Sequence, residues 1–451
     1  MLYSLAKRAF DWEDASSLIN FRVKLPNPLP LFLEFTMHPH SVPARGTVIA
    51  AMFLVSGTII GGGMLALPVA TGASGFWPSF VFMVISWLAM TFTALLYLEV
   101  SLWMEEGVHV ISMTSRILGP LGKAVAWILY LFICYASLVA YTAAGGLQIV
   151  DGARSLFDME ITKTVGSLLF VGVFGSIFYF GNKTVGRVNT ILFLAMIGAY
   201  LCLVGMGIDE VKLPLLSYSH WSPALLAIPL FLTSFSFQTM VPSLTPYLQR
   251  HAKSLRYAII GGTTLSLIVY VIWLWLILGI VPVEGDNGLL EALRRGEPAT
   301  QFVSEHVQGP YIALIAEYFA FFAIITSFFG IGLGLFDFLS DGLRIKEEGR
   351  GKVALALLIA IPTLFFATQF ERVFYLALDA TGGYGDAILN GLIPILLIWI
   401  GRYKMGYGKK KGIWIEKKPI LALGFCFYLF VLSFKFCIDF GIIPTTLFIR
   451  T

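Results

Sequence analysis

The chain has 451 residues, of which 57% are hydrophobic and 13% are charged, against roughly 45–50% and 25% in soluble domains. This composition excludes a soluble enzyme or a soluble binding protein and predicts a protein that crosses a membrane several times. The formal net charge of +4 carries little information by itself, because the position of each basic residue relative to the membrane matters more than the sum.

Cysteine and histidine give no sign of a disulfide framework, a metal site or a haem. All four cysteines lie in apolar runs, and all six histidines lie in the N-terminal segment or in predicted loops. Ligands for a metal array within the membrane would have to face one another between helices. We therefore expect no metal, no cofactor and no catalytic residues.

Residues 1–45 are polar, contain several prolines and mix both charges, and we predict a cytoplasmic extension. Beyond it, about 20 apolar residues per crossing predict eleven membrane-spanning helices. The predicted spans are 46–71, 78–99, 122–148, 163–181, 187–207, 222–248, 256–281, 309–337, 352–369, 374–400 and 418–440.

The basic residues predict how the chain is oriented. About three quarters of the 31 lysines and arginines fall in segments on the same side as the N-terminus, which is the positive-inside pattern. The N-terminus is therefore predicted in the cytoplasm and the C-terminus outside. The loop from Gly401 to Lys418 contributes most, and we interpret its run Lys409, Lys410 and Lys411 as a topology signal that faces lipid rather than nucleic acid. No obligate protein partner is indicated.

The first span is interrupted in its middle by Gly61, Gly62 and Gly63, with Pro68 shortly after. Glycine widens the allowed backbone angles, and proline lacks an N–H and clashes with the preceding turn. A membrane tolerates such an interruption only where the freed backbone is buried in protein or lines a cavity. The stretch is either a binding site or a seam of close helix packing, for which small residues are also favoured.

The sixth span has a second interruption, because residues 232–242 place hydroxyls, an amide and a proline at mid-membrane depth. The two broken spans lie five spans apart, and an odd offset gives the halves 46–207 and 222–400 opposite orientations, with 418–440 as an added helix. Paired broken helices in two inverted halves are typical of secondary transporters with a site at the midplane.

Three stretches of the sequence resemble one family of transporters. They are Gly57–Pro68 in the first span, Pro229–Leu244 in the sixth and Ser327–Asp341 in the eighth, and they resemble the bacterial hydroxy and aromatic amino acid permeases, which include the tyrosine and tryptophan permeases. The resemblance covers roughly residues 45–445. It implies an all-α inner-membrane protein with a leucine-transporter-like five-plus-five inverted repeat, in which helices one and six are broken.

A zwitterionic amino acid needs donors for its carboxylate and acceptors for its ammonium. The backbone N–H groups of Gly61, Gly62 and Gly63 begin a half-helix and suit the carboxylate, whereas free carbonyls around Gly57 and Ile60 suit the ammonium or a cation. Two hydroxyls beside the break either join this site or bond back to their own helix; they belong to Ser56 and Thr58.

An aromatic substrate side chain needs an apolar slot with a few polar groups that fix its orientation. Phe235, Phe237 and Gln238 of the sixth span, with Tyr135 and Tyr141 of the third, are the candidates. Each of these side chains either lines the slot or packs in the core, since aromatic residues make up 15% of the chain.

Uphill uptake needs a driving ion, and ionisable side chains inside a membrane are costly enough to be functional candidates. Glu317, in the first part of the eighth span, is the predicted proton carrier, whereas Asp337, Asp379 and Asp386 are expected nearer the ends of their spans.

A small cation is the alternative. The oxygens of Thr326 and Ser327, with the Gly57 and Ile60 carbonyls, are ligands of the kind that sodium requires. We therefore expect ion-coupled uptake of tyrosine or another aromatic amino acid, with proton symport implied by the resemblance. Sodium-coupled transport of tryptophan or another neutral amino acid is the alternative, as is a membrane receptor that senses an amino acid.

Overall fold

The computed structural model describes residues 45–105, 108–180, 182–303, 306–307, 310–346, 348–370, 372–408 and 417–445. Within these ranges all regular structure is helical. The predicted extension 1–45 lies outside the described residues except for its last residue, as do Lys409, Lys410 and Lys411.

The chain folds into a bundle of long apolar helices. Among the described residues ten helices are long and apolar enough to cross a membrane, and the count is eleven when one bent pair is taken as a single span. This agrees with the predicted number of spans. In chain order the α-helices are α1 (Arg45–Ile59), α2 (Gly63–Thr71), α3 (Phe76–Trp103), α4 (Val110–Phe157), α5 (Lys163–Ser176), α6 (Asn182–Gly207), α7 (Leu213–Leu216), α8 (Trp221–Ala224), α9 (Ile228–Ser234), α10 (Val241–Tyr247), α11 (Ala252–Ile280), α12 (Leu289–Arg295), α13 (Thr300–Val303), α14 (Pro310–Leu343), α15 (Gly349–Gln369), α16 (Val373–Ala380), α17 (Ile393–Tyr403) and α18 (Lys418–Asp439).

The bent pair is the glycine-rich first span. Helices α1 and α2 meet at an angle of 57°, so the predicted interruption is confirmed. Pro68 does not take part in the break, because α2 continues through it. The proline leaves the Met64 carbonyl without its usual N–H partner, and the Trp273 indole N–H donates to that oxygen at 3.0 Å instead.

The sixth span is also broken where the sequence predicts. Helix α9 ends at Ser234, a 3₁₀ turn covers Gln238–Met240, and α10 follows. Residues 235–237 between them have no regular hydrogen-bonding pattern. Two spans are therefore interrupted near their middles.

Two spans differ from the predicted pattern. The third is preceded by a helical segment that begins at Val110, and the two are separated at Gly119, where φ is +77° and the backbone is not helical. The tenth contains a π-helix over Thr381–Leu392 between α16 and α17, which no periodicity in the sequence predicts. Segments of π-helix within α-helices often occur at functional sites.

The π-helix depends on glycine for its close packing. A Cβ on Gly382 would overlap the carbonyl oxygen of Pro229 in α9, and a Cβ on Gly383 would lie 2.5 Å from Cγ of Lys435 in α18. The backbone of the tenth span therefore lies directly against the first half of the broken sixth span.

We predict that Gly382→Ala lowers the free energy of unfolding by about 1–3 kcal/mol or more, the usual cost of overpacking. Gly198→Ala in α6 is the matched control, since its Cβ meets no atom within 4 Å. Thermal unfolding of the two detergent-solubilised variants, followed by tryptophan fluorescence, checks this. Equal melting temperatures for both would contradict the packing described here.

Candidate functional site

The two breaks border one cavity of about 570 Å³, which α4, α6, α14 and the π-helix enclose on the other sides. Nine of the residues predicted from the sequence line it: Gly57, Thr58, Ile60, Gly61, Gly63, Tyr141, Phe237, Thr326 and Ser327. The structure therefore brings together most of the backbone and hydroxyl groups that the sequence assigns to a substrate and an ion.

Ser327 ties the first break to the eighth span. Its hydroxyl oxygen accepts the Gly62 N–H at 2.7 Å, and a Cβ on Gly61 would overlap that oxygen. The Gly62 N–H is thus occupied within the protein. The described structure contains no hydrogen-bond partner for the N–H groups of Gly61 and Gly63, which are among the donors that the start of α2 leaves without a partner inside the helix.

Tyr270 in α11 links the two breaks to each other, a role that nothing in the sequence indicates. Its hydroxyl lies 2.7 Å from the Ile59 carbonyl oxygen, at the end of α1, and 2.9 Å from the Ser234 carbonyl oxygen, at the end of α9. A single buried phenol therefore serves one carbonyl from each broken helix. Phe235 packs against the Tyr270 ring, with 5.1 Å between ring centroids.

Four residues predicted for the substrate site have structural partners instead. Gln238 donates to the Met90 carbonyl at 3.0 Å and accepts the Phe237 N–H at 2.9 Å, so it does not line the cavity. Ser56 is buried and accepts the Ser266 hydroxyl at 3.2 Å. The other two, Phe235 and Tyr135, are likewise outside the cavity lining.

Tyr135 has a clear reason to face away from the cavity. Its hydroxyl donates to the Leu358 carbonyl in α15 at 3.0 Å, and Leu358 lies four residues before Pro362. The proline cannot supply the N–H that this carbonyl would otherwise accept. Tyr130 and Phe193 are aromatic residues that line the cavity and that the sequence did not single out.

Thr58 and Thr326 line the cavity while their hydroxyl protons are engaged in their own helices. Thr58 donates to the Leu54 carbonyl and Thr326 to the Phe322 carbonyl, both at 2.8 Å. The hydroxyl oxygens retain their lone pairs, so each remains available as an acceptor or a cation ligand.

Asp386 lies in the middle of the tenth span and borders the cavity, which corrects the expectation that it lies near a span end. Its Oδ1 accepts the Ser236 hydroxyl and the Asn390 side-chain N–H, both at 2.6 Å. Its Oδ2 is buried without a hydrogen-bond partner. The spacing of Asp386 and Asn390, four residues apart in an apolar span, is the sequence signal that points to this pair.

Glu317 is not brought to the cavity. Its side chain is exposed on α14, and the cavity lining does not include it. Among the described residues that line the cavity, Asp386 is the one with an ionisable carboxyl group, and none is a lysine, an arginine or a histidine.

Other charged side chains within the bundle form ion pairs away from the cavity. Lys435 in α18 lies 2.5 Å from Asp379 Oδ2 and 2.6 Å from Asp439 Oδ1. At another place, Glu99 pairs with Arg402 at 3.2 Å and with Arg256 at 3.8 Å. Apart from Lys435 with Asp439, which both belong to α18, these pairs join different helices, and none of their members lines the cavity.

A bundle of membrane-crossing helices with two broken spans around a polar cavity has the architecture of a transporter. A comparison with protein families agrees: the model of the tryptophan/tyrosine permease family matches residues 45–435. The chain belongs to this family. It is a multi-pass membrane transporter and not an enzyme.

Individual relatives cover most of the chain. The tyrosine-specific transport system 1 of Haemophilus influenzae is 31% identical over 360 residues, which are 78% of this chain and 88% of that protein. The tryptophan-specific transport protein of the same organism is 28% identical over 372 residues, 79% and 88% of the two chains. The low affinity tryptophan permease of Escherichia coli K12 is 25% identical over 340 residues, 73% and 82%.

We predict that Gly62→Val reduces transport by about a hundredfold or more, as misplacement of a bound substrate by about 1 Å does, while the protein still inserts. A Cβ there would lie 2.6 Å from Tyr141 Cε1, and the branched side chain would refill the break. Gly205→Val, whose Cβ meets nothing within 4 Å, is the control. Normal uptake of labelled substrate by Gly62→Val would reduce the glycines to a packing seam.

We also predict that Tyr270→Phe impairs transport, because the two buried carbonyls lose the hydroxyl that they share as donor. A buried polar group without a partner costs about 1–3 kcal/mol of stability. Tyr200→Phe is the matched control: its hydroxyl donates to the Val269 carbonyl at 2.9 Å, away from the breaks. Uptake rates and melting temperatures of both variants are compared. Equal uptake by the two would show that the link between the breaks does not matter for transport.

Proposed function

We propose that this permease imports tyrosine, or another aromatic amino acid, across a bacterial inner membrane by proton-coupled alternating access. The observation that carries the proposal is the cavity between the two breaks and its unpartnered polar atoms. Four buried atoms of its lining have no hydrogen-bond partner: Ser234 Oγ, Asn189 Oδ1, Asp386 Oδ2 and Asn390 Oδ1. Buried polar groups are costly unless they are paired, so a polar ligand accounts for the atoms of Ser234, Asn189 and Asn390, and a proton accounts for Asp386 Oδ2.

The substrate backbone fits the breaks. We assign its carboxylate to the N–H groups of Gly61 and Gly63, at the positive end of the α2 dipole. The ammonium group takes acceptors on the opposite side, which are the carbonyls near Gly57 and Ile60 and the Ser234 hydroxyl. No buried charge of the protein is needed for either group.

The substrate side chain fits the aromatic part of the lining. Tyr141 and Phe237 provide apolar walls, with Tyr130 and Phe193 further along the cavity. Because Gln238 is occupied by Met90, we transfer its expected role to Asn189, whose unpartnered oxygen suits the hydroxyl of tyrosine or the N–H of an indole.

The helix packing supports the inverted repeat. The first span packs against the seventh, α11, and the sixth packs against the second, α3. The third span packs against the tenth and the eighth against the fifth. Each of these pairs maps onto the other when spans one to five exchange with six to ten, as two repeats with the same fold require. The repeats are residues 46–207 and 222–400.

The cavity extends along one side of the breaks only. It reaches Phe53 and Leu54 in α1 and Thr190 near the start of α6, on the side that the basic residues assign to the cytoplasm. Towards the other side, the Trp273 indole bonded to Met64 and the Tyr270 hydroxyl close the space. We infer that this conformation opens inward, with the N-terminus in the cytoplasm.

Sodium coupling is the alternative that one observation favours. Thr326 and Ser327 line the same cavity as Gly57 and Ile60, as the predicted set of oxygen ligands requires. Ser327 already accepts the Gly62 N–H, so its oxygen has one lone pair left for a cation.

Concentrative uptake of labelled tyrosine into proteoliposomes tests the proposal. We expect accumulation under an inward proton gradient, inhibition by tryptophan and phenylalanine, and loss of accumulation when the proton gradient is collapsed. Accumulation that follows only a sodium gradient would replace the proton with sodium. Binding of tyrosine without accumulation under either gradient would identify a receptor and contradict transport.

A further inference from the structure

We propose that Asp386 is the group that carries the coupling proton, and that the Ser236 hydroxyl passes this proton between the cavity and the carboxyl. The inference rests on the proposed proton-coupled function and names residues for it. It replaces Glu317 as the proton carrier, because Glu317 does not reach the cavity.

The surroundings of the Asp386 carboxyl have room for a proton but not for a metal ion or an ammonium group. Asp386 has 0% of its surface exposed, so an ion that needs the space of a water molecule has no room at Oδ2, whereas a proton does. Thr233 lies beside the same carboxyl but donates to the Leu378 carbonyl at 2.7 Å. A buried carboxylate with one unpaired oxygen is unfavourable, and protonation removes that cost.

Ser236 connects this carboxyl to the cavity. It is partly exposed, lines the cavity, and donates to Asp386 Oδ1 at 2.6 Å, while Asn390 donates to the Ser236 oxygen at 3.0 Å. A hydronium ion in the cavity gives a proton to Ser236 Oγ as the hydroxyl proton of Ser236 moves to Asp386. The serine is unchanged, the hydronium becomes water, and the carboxylate becomes a neutral acid.

No described basic group competes for this carboxyl. The titratable side chains on its own segment and on the helices packed against it include Tyr97 and Glu99 on α3, Tyr130, Cys134 and Tyr141 on α4, Arg402 on α17, Tyr428 and Lys435 on α18, and Tyr375, Asp379 and Tyr384 on the tenth span. Arg402 pairs with Glu99 at 3.2 Å. Phenols and thiols are neutral near pH 7. The lysine is held between Asp379 and Asp439. No described cation therefore pairs with Asp386, and its carboxylate is neutralised by protonation.

The location explains coupling as well as proton binding. Ser236 belongs to the break of the sixth span, next to Phe237, which lines the substrate cavity. Protonation of Asp386 and binding of substrate therefore act on the same few residues. Both events bear on the packing of α9 against the π-helix, which joins the sixth and tenth spans within the second proposed repeat.

Two transport assays on reconstituted protein separate the proton from the substrate. Exchange of internal and external tyrosine needs no net proton movement, whereas accumulation under a pH gradient does. With the membrane potential held at zero, a gradient of about one pH unit drives at most about tenfold accumulation for one proton per substrate, since one unit corresponds to 1.36 kcal/mol.

We expect Asp386→Asn to exchange tyrosine within about twofold of the unmodified protein and to accumulate none above the external concentration. Glu317→Gln is the control, a second membrane carboxyl removed away from the cavity, and it keeps both activities. Tenfold accumulation by Asp386→Asn would overturn the proposal. So would loss of exchange together with accumulation in a variant that melts like the unmodified protein, because Asp386 would then bind substrate.

Ser236→Ala provides a second test that leaves the carboxyl in place. If Asp386→Asn does not fold, this variant tests whether protons reach Asp386 through Ser236. A relay changes the rate but not the equilibrium, so accumulation is slowed by about tenfold or more and reaches the same final ratio. An unchanged rate would overturn the relay.

The unmodified protein separates this proposal from the proposed function. If it exchanges tyrosine but accumulates it only with sodium, proton coupling itself is wrong. If it does not exchange aromatic amino acids, the proposed substrate is wrong.

Discussion

Every carbonyl that loses its helical partner inside a membrane needs another donor, because lipid provides none. In this structure aromatic side chains supply that donor at three prolines. In each case the oxygen belongs to a residue four or five positions before the proline, and a phenol or indole from another helix donates to it. The pairs are Trp273 to Met64 before Pro68, Tyr135 to Leu358 before Pro362, and Tyr97 to Leu389 before Pro394. The irregular backbone is thus held by contacts between spans.

The same requirement distinguishes the backbone groups that have a partner at the breaks from those that have none. Tyr270 provides one hydroxyl for the carbonyls of Ile59 and Ser234, and Ser327 provides an acceptor for Gly62. These contacts stabilise both breaks without filling them. The N–H groups of Gly61 and Gly63 remain without partners in the described structure. A broken helix that were satisfied completely by the protein would have nothing to offer a substrate.

The sequence predicts the number of spans and both breaks well, because glycine, proline and apolar length act locally. It predicts much less well which side chains face the cavity. Tyr135 and Gln238 look like pocket residues from their types and positions, yet each serves a carbonyl on another helix. The expectation that Asp386 lies nearer a span end overlooks its place at the centre of the predicted span 374–400, and the π-helix that contains it is not predicted by the sequence. Such choices depend on rotation and packing between spans, which the sequence of one span does not contain.

The backbone dipoles at the two breaks suit a substrate that carries one positive and one negative charge. A zwitterion has no net charge, so a cavity that offers backbone dipoles to each end needs no permanent counter-ion. A lysine for the carboxylate would itself be costly whenever the cavity was empty. Among the described lining residues the single ionisable carboxyl is Asp386, and a carboxyl can become neutral by taking a proton. The empty and loaded cavities are then both close to neutral, which is what a protein that must pass through both states inside a membrane requires.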